Sequence, residues 1–482
     1  MIKKNIIASY IGNGYTVLIG VIMLPVYLTY MGKEAYGLVG FYVLLLSMLR
    51  MFDMGLSPSI GRATARYNGD KKNPARLVKF LHLSVRVFVF IAIIFTLVMF
   101  SFSYEIATKW LTIEELNYIE VSESVKLMAV IVALRWISGL YRGVITGYER
   151  FVWLNSCQVI IATLRFIFVI PVLIYLYQTP VDFFLYQMVV GIIEAIVLIY
   201  FAYYLLPKVE KLEVKKIKLS DLSGELKFSG VLVFTGIVSI LITQADKLIM
   251  SGILTLSNYA IFNVAVLAAS GVLLIGRPFI NVLRATITRL YAEGKREAAF
   301  KLYKSSTQLV AIGGTVVSVF FWYSGGEFLL LWTGDHEVVE KATTILWMYS
   351  LGNAVMLVAG MQILLQYAEG ILRYHFFGNI VFALIILPAV YFLANKYGAI
   401  GAGIAWLSSA SLIFFIWIPI VHRRFFPSLH LKWLVNDVLL IFISGFVSGG
   451  LIDWLVKSNI IDFENDILFL FFQISMISLG SA

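Results

Sequence analysis

Long apolar runs separated by short polar segments make up most of the chain. A helix needs about 20 apolar residues to cross roughly 30 Å of hydrocarbon. Fourteen segments meet this requirement, and the pattern therefore predicts an all-α polytopic membrane protein. The segments lie near residues 9–30, 36–56, 84–104, 124–146, 154–176, 183–206, 230–252, 259–281, 306–324, 341–364, 376–394, 400–421, 434–456 and 466–481.

Lysine and arginine gather in every second loop, and acidic residues gather in the loops between them. Cytoplasmic loops of membrane proteins carry an excess of Lys and Arg, so the basic loops and both termini are predicted to be cytoplasmic. The basic loops contain Lys3, Lys4, Lys71, Lys72, Arg76, Lys215, Lys216, Lys295, Arg296, Arg423 and Arg424, and the acidic loops contain Glu114, Glu115, Asp335, Asp462 and Glu464.

Composition agrees with this interpretation and excludes several other classes. The chain is 60% hydrophobic and 14% charged, with a mean hydropathy of +0.88, which no ordinary soluble domain approaches. The net charge of +10 follows from the basic loops, so it does not indicate a nucleic-acid partner. Cys157 is the only cysteine, and the five histidines lie at or near span ends without metal-site spacing. We predict no metal site and no cofactor, and interpret the histidines as interfacial residues.

Two stretches about two hundred residues apart resemble each other and indicate an internal repeat. RMFDMGLSPSIGRATAR (50–66) and RPFINVLRATITR (277–289) both end a span with RAT and lead into a basic loop. Repeats of this kind mark transporters, and halves with even span numbers share one topology. We predict a six-span lobe at 1–206, a cytoplasmic linker at 207–229, a second six-span lobe at 230–421, and two additional helices at 422–482.

Several short stretches, in order along the chain, resemble those of bacterial polysaccharide (O-antigen-type) flippases of the multidrug/oligosaccharidyl-lipid/polysaccharide exporter superfamily. They are Asn13 and Pro25 in the first span, MGKEAYGL (31–38), FDMGLSPSIGR (52–62), TQADKLIMSGIL (243–254) and KYGAIGAGIAW (396–406). Together they cover about the first 420 residues. Many such flippases have twelve spans, so the last two predicted spans depart from the pattern.

The resemblance implies a V-shaped carrier with two lobes in the bacterial cytoplasmic membrane. Its substrate would be an undecaprenyl-pyrophosphate-linked oligosaccharide, which it moves from the cytoplasmic to the outer leaflet by alternating access. Partners would be membrane lipids and other membrane proteins of polysaccharide assembly. Such a carrier is not an enzyme, and its coupling ion would be H⁺ or Na⁺.

Arginines within the predicted spans are the strongest site candidates. An arginine at mid-bilayer costs roughly 2.5 to 3.5 kcal/mol on insertion scales, so it normally faces a cavity or a partner. At 1.5 Å per residue, Arg135 and Arg165 lie about 16 Å deep. Arg142 shares a helix face with Arg135, and Arg50 lies in the inner third of its span. Planar guanidinium groups suit the pyrophosphate that the resemblance implies.

Carboxylates in the spans would balance these charges or couple transport to an ion gradient. Glu194 is the first candidate because it lies at a depth similar to that of Arg135 and Arg165. Asp246 and Asp53 are the reserves. A purely structural alternative stays open, in which Arg50 pairs with Asp53 and Glu194 pairs with Arg135 or Arg165 as a packing device.

The spans of the second lobe carry amides and aromatic rings, which suit sugars. The candidate sugar contacts are Trp347, Asn353, Gln362, Asn379 and Trp406. Polar and aromatic side chains also pack between membrane helices without binding any ligand, so this alternative stays open as well.

Three other classes of function compete with the polysaccharide flippase. A lipid II or teichoic-acid precursor flippase would use the same mechanism with another sugar. A cation-coupled multidrug exporter would place carboxylates in its cavity, where this chain places arginines. A membrane-integral polysaccharide polymerase or glycosyltransferase would need a large outer loop or a carboxylate-rich metal motif, and the sequence has neither.

The predicted topology can be tested with single cysteines at Glu115 and Lys216 in a chain without Cys157. Because these positions lie in an acidic and a basic loop, we expect them to react with an impermeant thiol reagent from opposite sides of the membrane. Labelling of both positions from the same side would contradict the topology.

Overall fold

The computed structural model describes residues 2–49, 56–209, 241–371, 373–427 and 430–458. Within these ranges every regular element is a helix, apart from one isolated bridge between Thr112 and Thr255. This confirms the predicted all-α class. The predicted site residues Arg50 and Asp53, most of the predicted linker and the last predicted span lie outside the described residues.

The chain divides into two compact units, with the boundary between Ala260 and Ile261. The helices of unit 1 are α1 (Ile2–Leu49), α2 (Leu56–Asp70), α3 (Pro74–Ser101), α4 (Ser103–Glu105), α5 (Tyr118–Gly147), α6 (Phe151–Phe166), α7 (Ile170–Tyr175), α8 (Pro180–Leu205) and α9 (241–253). Helix α10 (Leu256–Ala269) begins in unit 1 and ends in unit 2.

The remaining helices belong to unit 2. They are α11 (Gly271–Ala292), α12 (Arg296–Thr333), α13 (His336–Gly360), α14 (Ile363–Glu369), α15 (Arg373–Leu412), α16 (Ile418–Phe425), α17 (His430–Leu434) and α18 (Leu440–Lys457). Single π-helical turns, Ile413–Trp417 and Val435–Leu439, join α15 to α16 and α17 to α18.

Ten helical segments among the described residues are long and apolar enough to cross a membrane. Two of them each contain two predicted spans, and both bend where a glycine has a positive φ. Gly32 (φ 78°) lies between the first two predicted spans, and Gly398 (φ 59°) lies between the eleventh and twelfth. Glycine adopts such a conformation without steric cost, so both turns occur where the polar pattern predicts a loop.

Connections that are predicted to face outward meet at one end of unit 1. The Glu34 carboxylate, in the turn after the first predicted span, accepts hydrogen bonds from the backbone N–H groups of Glu114, Glu115 and Leu116 at 2.6 to 3.0 Å. The N–H group of Leu256 donates to the Thr112 carbonyl at 2.9 Å. These three connections therefore share one end of the unit, as expected if successive spans cross the membrane in alternating directions.

Helix α17 and the π-helical turn after it are integral to the core of unit 2. Trp433 is fully buried against Tyr303 and Phe414. Asp437 is also buried, and it accepts a hydrogen bond from Gln308 at 2.8 Å and pairs with Lys304 at 3.4 Å. In the sequence this segment lies outside the two predicted six-span lobes, but in the structure its side chains complete the packing of α12.

The interpretation of the histidines as interfacial residues was wrong for His422. This side chain is fully buried, with Nε2 at 2.8 Å from the Tyr303 hydroxyl and Nδ1 at 3.0 Å from Nδ1 of His430. Its position near a span end suggested exposure, but α17 folds over it. No group of three or more metal-ligating side chains occurs among the described residues.

The Lys304–Asp437 pair provides a stability test because its members differ in exposure. Asp437 has 0% of its side chain exposed, whereas Lys304 has 33%. Lys304→Met leaves a buried carboxylate unpaired, which costs about 3 to 5 kcal/mol. Asp437→Asn leaves a lysine that reaches water, so we expect a loss of about 1 to 3 kcal/mol. Thermal unfolding in detergent should therefore rank Lys304→Met as the less stable variant.

The matched control is Lys301→Met, which removes an exposed lysine one turn earlier on the same helix. The double variant of Lys304→Met and Asp437→Asn should unfold at a higher temperature than Lys304→Met alone, because the unpaired buried charge is gone. Equal melting of Lys304→Met and Lys301→Met would show that the pair does not stabilise the packing of the π-helical turn after α17 against α12.

Candidate functional site

Three arginines and one glutamate from three helices form a charged cluster inside unit 1. Helix α5 contributes Arg135 and Arg142, which are seven residues and therefore about two turns apart on one face. Helix α6 contributes Arg165 in its last turn, where a cation is favoured by the helix dipole. Helix α8 contributes Glu194.

Glu194 links two of the arginines. Its Oε1 accepts a hydrogen bond from Nη2 of Arg142, and its Oε2 accepts one from Nη2 of Arg165 at 2.7 Å. The carboxylate is 2% exposed, so these charge-assisted bonds replace its hydration. Arg142 keeps 34% of its side chain exposed, so solvent reaches Arg142 more readily than it reaches Glu194.

Arg165 is held from several sides but keeps one free donor. Its Nη1 donates to the Gln187 side chain at 3.4 Å, and Nε2 of Gln187 donates to the Arg165 carbonyl at 2.9 Å. The Nε–H group of Arg165 is buried and has no hydrogen-bond partner among the described residues. A buried donor without a partner is costly, and it is a position at which a ligand oxygen would be stabilising.

Arg135 is oriented by an aromatic hydroxyl group. Its Nη1 donates to the hydroxyl of Tyr42, on α1, at 3.0 Å. Among the described residues, Arg135 is the arginine of the cluster that has no hydrogen bond to the Glu194 carboxylate.

A cavity of about 300 Å³ lies beside the cluster. Its wall includes the indole of Trp136, which stacks on Phe88 at a centroid distance of 4.1 Å and has a buried Nε1–H without a partner among the described residues. The volume is at the lower end of the range for small-molecule sites. The lining residues are Leu46, Ser57, Arg135, Trp136, Gly139, Arg142 and Glu194.

The formal charge of the cluster is positive. Three guanidinium groups (Arg135, Arg142 and Arg165) and one carboxylate (Glu194) sum to +2. Arginine stays ionised at any working pH and presents a planar fork that matches phosphate oxygens. The cluster is therefore suited to an anion with several oxygen atoms and two negative charges.

The structure brings four of the seven predicted charged site residues together in this cluster. Arg50 and Asp53 lie outside the described residues. Asp246, on α9, is buried, does not line the cavity, and accepts a hydrogen bond from the backbone N–H of Lys247 at 2.8 Å. Sequence reasoning missed Trp136 and Tyr42. The first follows Arg135 directly, whereas nothing along the chain indicates the second.

The predicted sugar contacts divide into two groups in unit 2. Asn353 donates to the Ala269 carbonyl at 2.9 Å and accepts from Nε1 of Trp406 at 3.1 Å, so these side chains satisfy each other. Trp347 packs edge-on against Trp322. Gln362 and Asn379 instead line a second cavity, of about 280 Å³.

The sequence and the fold both have recognisable relatives. Residues 2–281 match the family described as polysaccharide biosynthesis protein. No curated protein sequence matches the chain significantly. The fold is similar to that of a lipid II flippase MurJ in an inward closed conformation, with a TM-score of 0.73 and 14% identity over 99% of this chain and 97% of that one.

Transporters of the MOP superfamily are also similar in fold. An inward-facing multidrug resistance transporter of the MATE family has a TM-score of 0.66 and 13% identity over 85% of this chain and 94% of its own. A MOP superfamily transporter from Pyrococcus furiosus has a TM-score of 0.57 and 13% identity, covering 86% and 94%. The predicted family is confirmed: the chain belongs to the polysaccharide biosynthesis protein family and has the MOP-type flippase and transporter fold.

Proposed function

We propose that the protein is a flippase for an undecaprenyl-pyrophosphate-linked oligosaccharide, which it moves from the cytoplasmic to the outer leaflet of a bacterial cytoplasmic membrane. The observation that carries this proposal is the charged cluster of unit 1, in which Arg135, Arg142 and Glu194 line the cavity and Arg165 is bonded to Glu194. Both termini would lie in the cytoplasm. Membrane lipids and other membrane proteins of polysaccharide assembly would be its partners.

Charge and shape both favour a pyrophosphate as the bound group. A pyrophosphate that joins a lipid to a sugar carries one negative charge on each phosphate, which matches the net charge of the cluster. Trp136, in the cavity wall, has a buried N–H group without a partner among the described residues, and a phosphate oxygen would accept from it. A cationic drug would instead meet a repulsive surface, which disfavours a multidrug exporter.

Glu194 would make the binding reversible. Pyrophosphate oxygens compete with its carboxylate for the donors of Arg142 and Arg165, so binding of the anion weakens the internal ion pairs. The carboxylate then favours release by retaking these donors. Uptake of H⁺ or Na⁺ at the displaced carboxylate would couple this exchange to an ion gradient, and Asp246 is the reserve candidate for that role.

A lipid II flippase is the second candidate function. It is favoured by one observation, the similarity of fold to MurJ over 99% of this chain. The two candidates share the pyrophosphate and differ in the sugar. Reconstituted protein should therefore be offered each lipid separately, and we expect faster translocation of the polysaccharide precursor than of lipid II.

The arginine site can be tested by complementation of a strain that lacks this chain, with surface polysaccharide as the readout. Arg165→Ala should abolish polysaccharide export, because it removes a buried fork. Arg165→Lys keeps a charge and loses the bidentate geometry, so we expect export to fall roughly tenfold. Arg135→Ala should likewise abolish export, and Arg135→Lys should likewise reduce it roughly tenfold.

The matched control is Arg150→Ala, which removes an exposed arginine of unit 1 that belongs neither to the charged cluster nor to the cavity wall. Membrane abundance must be measured for every variant. Full export by normally abundant Arg135→Ala and Arg165→Ala proteins would show that the arginines are structural.

The role of Glu194 can be separated from that of the arginines with Glu194→Gln, which keeps the shape and removes the charge. Without the competing carboxylate, undecaprenyl pyrophosphate should bind the purified protein roughly tenfold more tightly. Translocation should nevertheless slow, because release is no longer favoured. Unchanged affinity together with unchanged translocation would exclude Glu194 from the exchange.

A further inference from the structure

The second cavity lies within unit 2 and has a different chemical character. It occupies about 280 Å³ among α11, α13, α15 and the π-helical turn before α16. These segments meet near ends that are predicted to be cytoplasmic. Most of its exposed wall is apolar, with a few polar groups. The lining residues that bear on its chemistry are Arg284, Gln362, His375, Asn379, Phe382 and Trp417.

Two buried donors at this cavity have no partner among the described residues. They are the Nε–H group of Arg284 and the indole Nε1–H group of Trp417. The Arg284 guanidinium lies 4.4 Å from the centroid of the Tyr367 ring, which stabilises its position through a cation–π contact. Buried donors in folded proteins are nearly always bonded, and a ligand with acceptor oxygens in this cavity would give both donors a partner.

The amides of the cavity are held in place by the protein. Gln366 donates to the Gln362 side-chain oxygen and accepts from the backbone N–H of His375 at 2.7 Å. The Asn379 side-chain nitrogen lies 3.2 Å from Nε2 of His375. These contacts fix the rotamers of the lining side chains, which reduces the entropy that binding would cost.

Ligands of three other classes fit the cavity poorly. A lipid tail would leave the Arg284 and Trp417 donors buried without partners, which is costly. A cation would meet Arg284, and no carboxylate lines the described wall to offset it. A pyrophosphate would find one guanidinium here, whereas both Arg135 and Arg142 line the cavity of unit 1. A ring with hydroxyl groups and apolar C–H faces suits the donors, the amides and the aromatic walls together.

We propose that this cavity is a subsite for a sugar ring of the lipid-linked oligosaccharide, with acceptor oxygens of the sugar bonded to Arg284 and Trp417. The proposal rests on the proposed flippase function and deepens it. Unit 1 binds the pyrophosphate, which every such lipid carries, and unit 2 distinguishes the glycan. Among the predicted sugar contacts, Gln362 and Asn379 take part.

Gly360 offers a way to fill the cavity without a steric clash. It lines the cavity, and a Cβ atom at this position would meet nothing within 4 Å. Gly360→Leu should therefore occupy the sugar's space and leave the fold intact. Gly271→Leu is the matched control, because Gly271 also has open space, belongs to the same unit and does not line the cavity. Asn379→Ala is a second, independent variant.

The test is the affinity of purified full-length protein in nanodiscs for two probes. One probe is undecaprenyl pyrophosphate, and the other is the lipid-linked oligosaccharide extracted from a strain that lacks this chain. The unmodified protein should bind the second probe at least about tenfold more tightly. Gly360→Leu and Asn379→Ala should reduce this ratio to near one, whereas Gly271→Leu should retain it.

The sugar subsite and the proposed function fail in different ways. Equal affinity of the unmodified protein for both probes, or an unchanged ratio in Gly360→Leu and Asn379→Ala, would overturn the subsite. If neither probe binds, or Arg165→Ala binds undecaprenyl pyrophosphate as tightly as the unmodified protein, the proposed function itself is wrong. Melting temperatures of the variants show whether each has folded.

Discussion

The burial of Glu194 between two guanidinium groups is the constraint on which the rest of unit 1 depends. Charged groups removed from water are stable only when each is paired and hydrogen-bonded. Arg142 and Arg165 come from different helices, so the carboxylate on α8 fixes the relative positions of α5, α6 and α8. Gln187 and Tyr42 complete the arrangement by bonding to Arg165 and Arg135. The pairing that stabilises the helices thereby holds the Arg142 guanidinium at the cavity wall, next to Arg135, and the Arg165 guanidinium against Glu194.

The two units differ in what they offer a ligand. Unit 1 has an excess of positive charge around its cavity, whereas unit 2 has one arginine, fixed amides and aromatic walls around its own. A lipid-linked oligosaccharide contains the two corresponding groups, a pyrophosphate and sugars. In such a carrier a strong electrostatic site could serve many related lipids, and a weaker hydrogen-bonding site could set the preference among glycans.

The sequence was sufficient for the fold class and for the residues of the charged cluster, because both depend on local periodicity. Counting residues along each span gave the similar depth of Arg135, Arg165 and Glu194, and a seven-residue spacing gave the shared face of Arg135 and Arg142. Tyr42 could not be found this way, since its contact depends on how α1 packs against α5.

In unit 2 the sequence indicated the kinds of side chain but not which ones line the cavity. Asn353 and Trp406 have the right chemistry, yet helix packing joins them to each other. Trp417 lies in an apolar stretch without polar neighbours, and only the three-dimensional arrangement shows that its N–H group is unpartnered. The core position of His422 likewise follows from α17 folding back over α16.

Electron cryo-microscopy of the protein bound to the lipid-linked oligosaccharide would show which side chains hold the pyrophosphate. We expect pyrophosphate oxygens within hydrogen-bonding distance of Arg135 and Arg165, with the bond between Arg142 and Glu194 broken. A headgroup bound elsewhere, with Glu194 still bonded to both Arg142 and Arg165, would contradict this expectation.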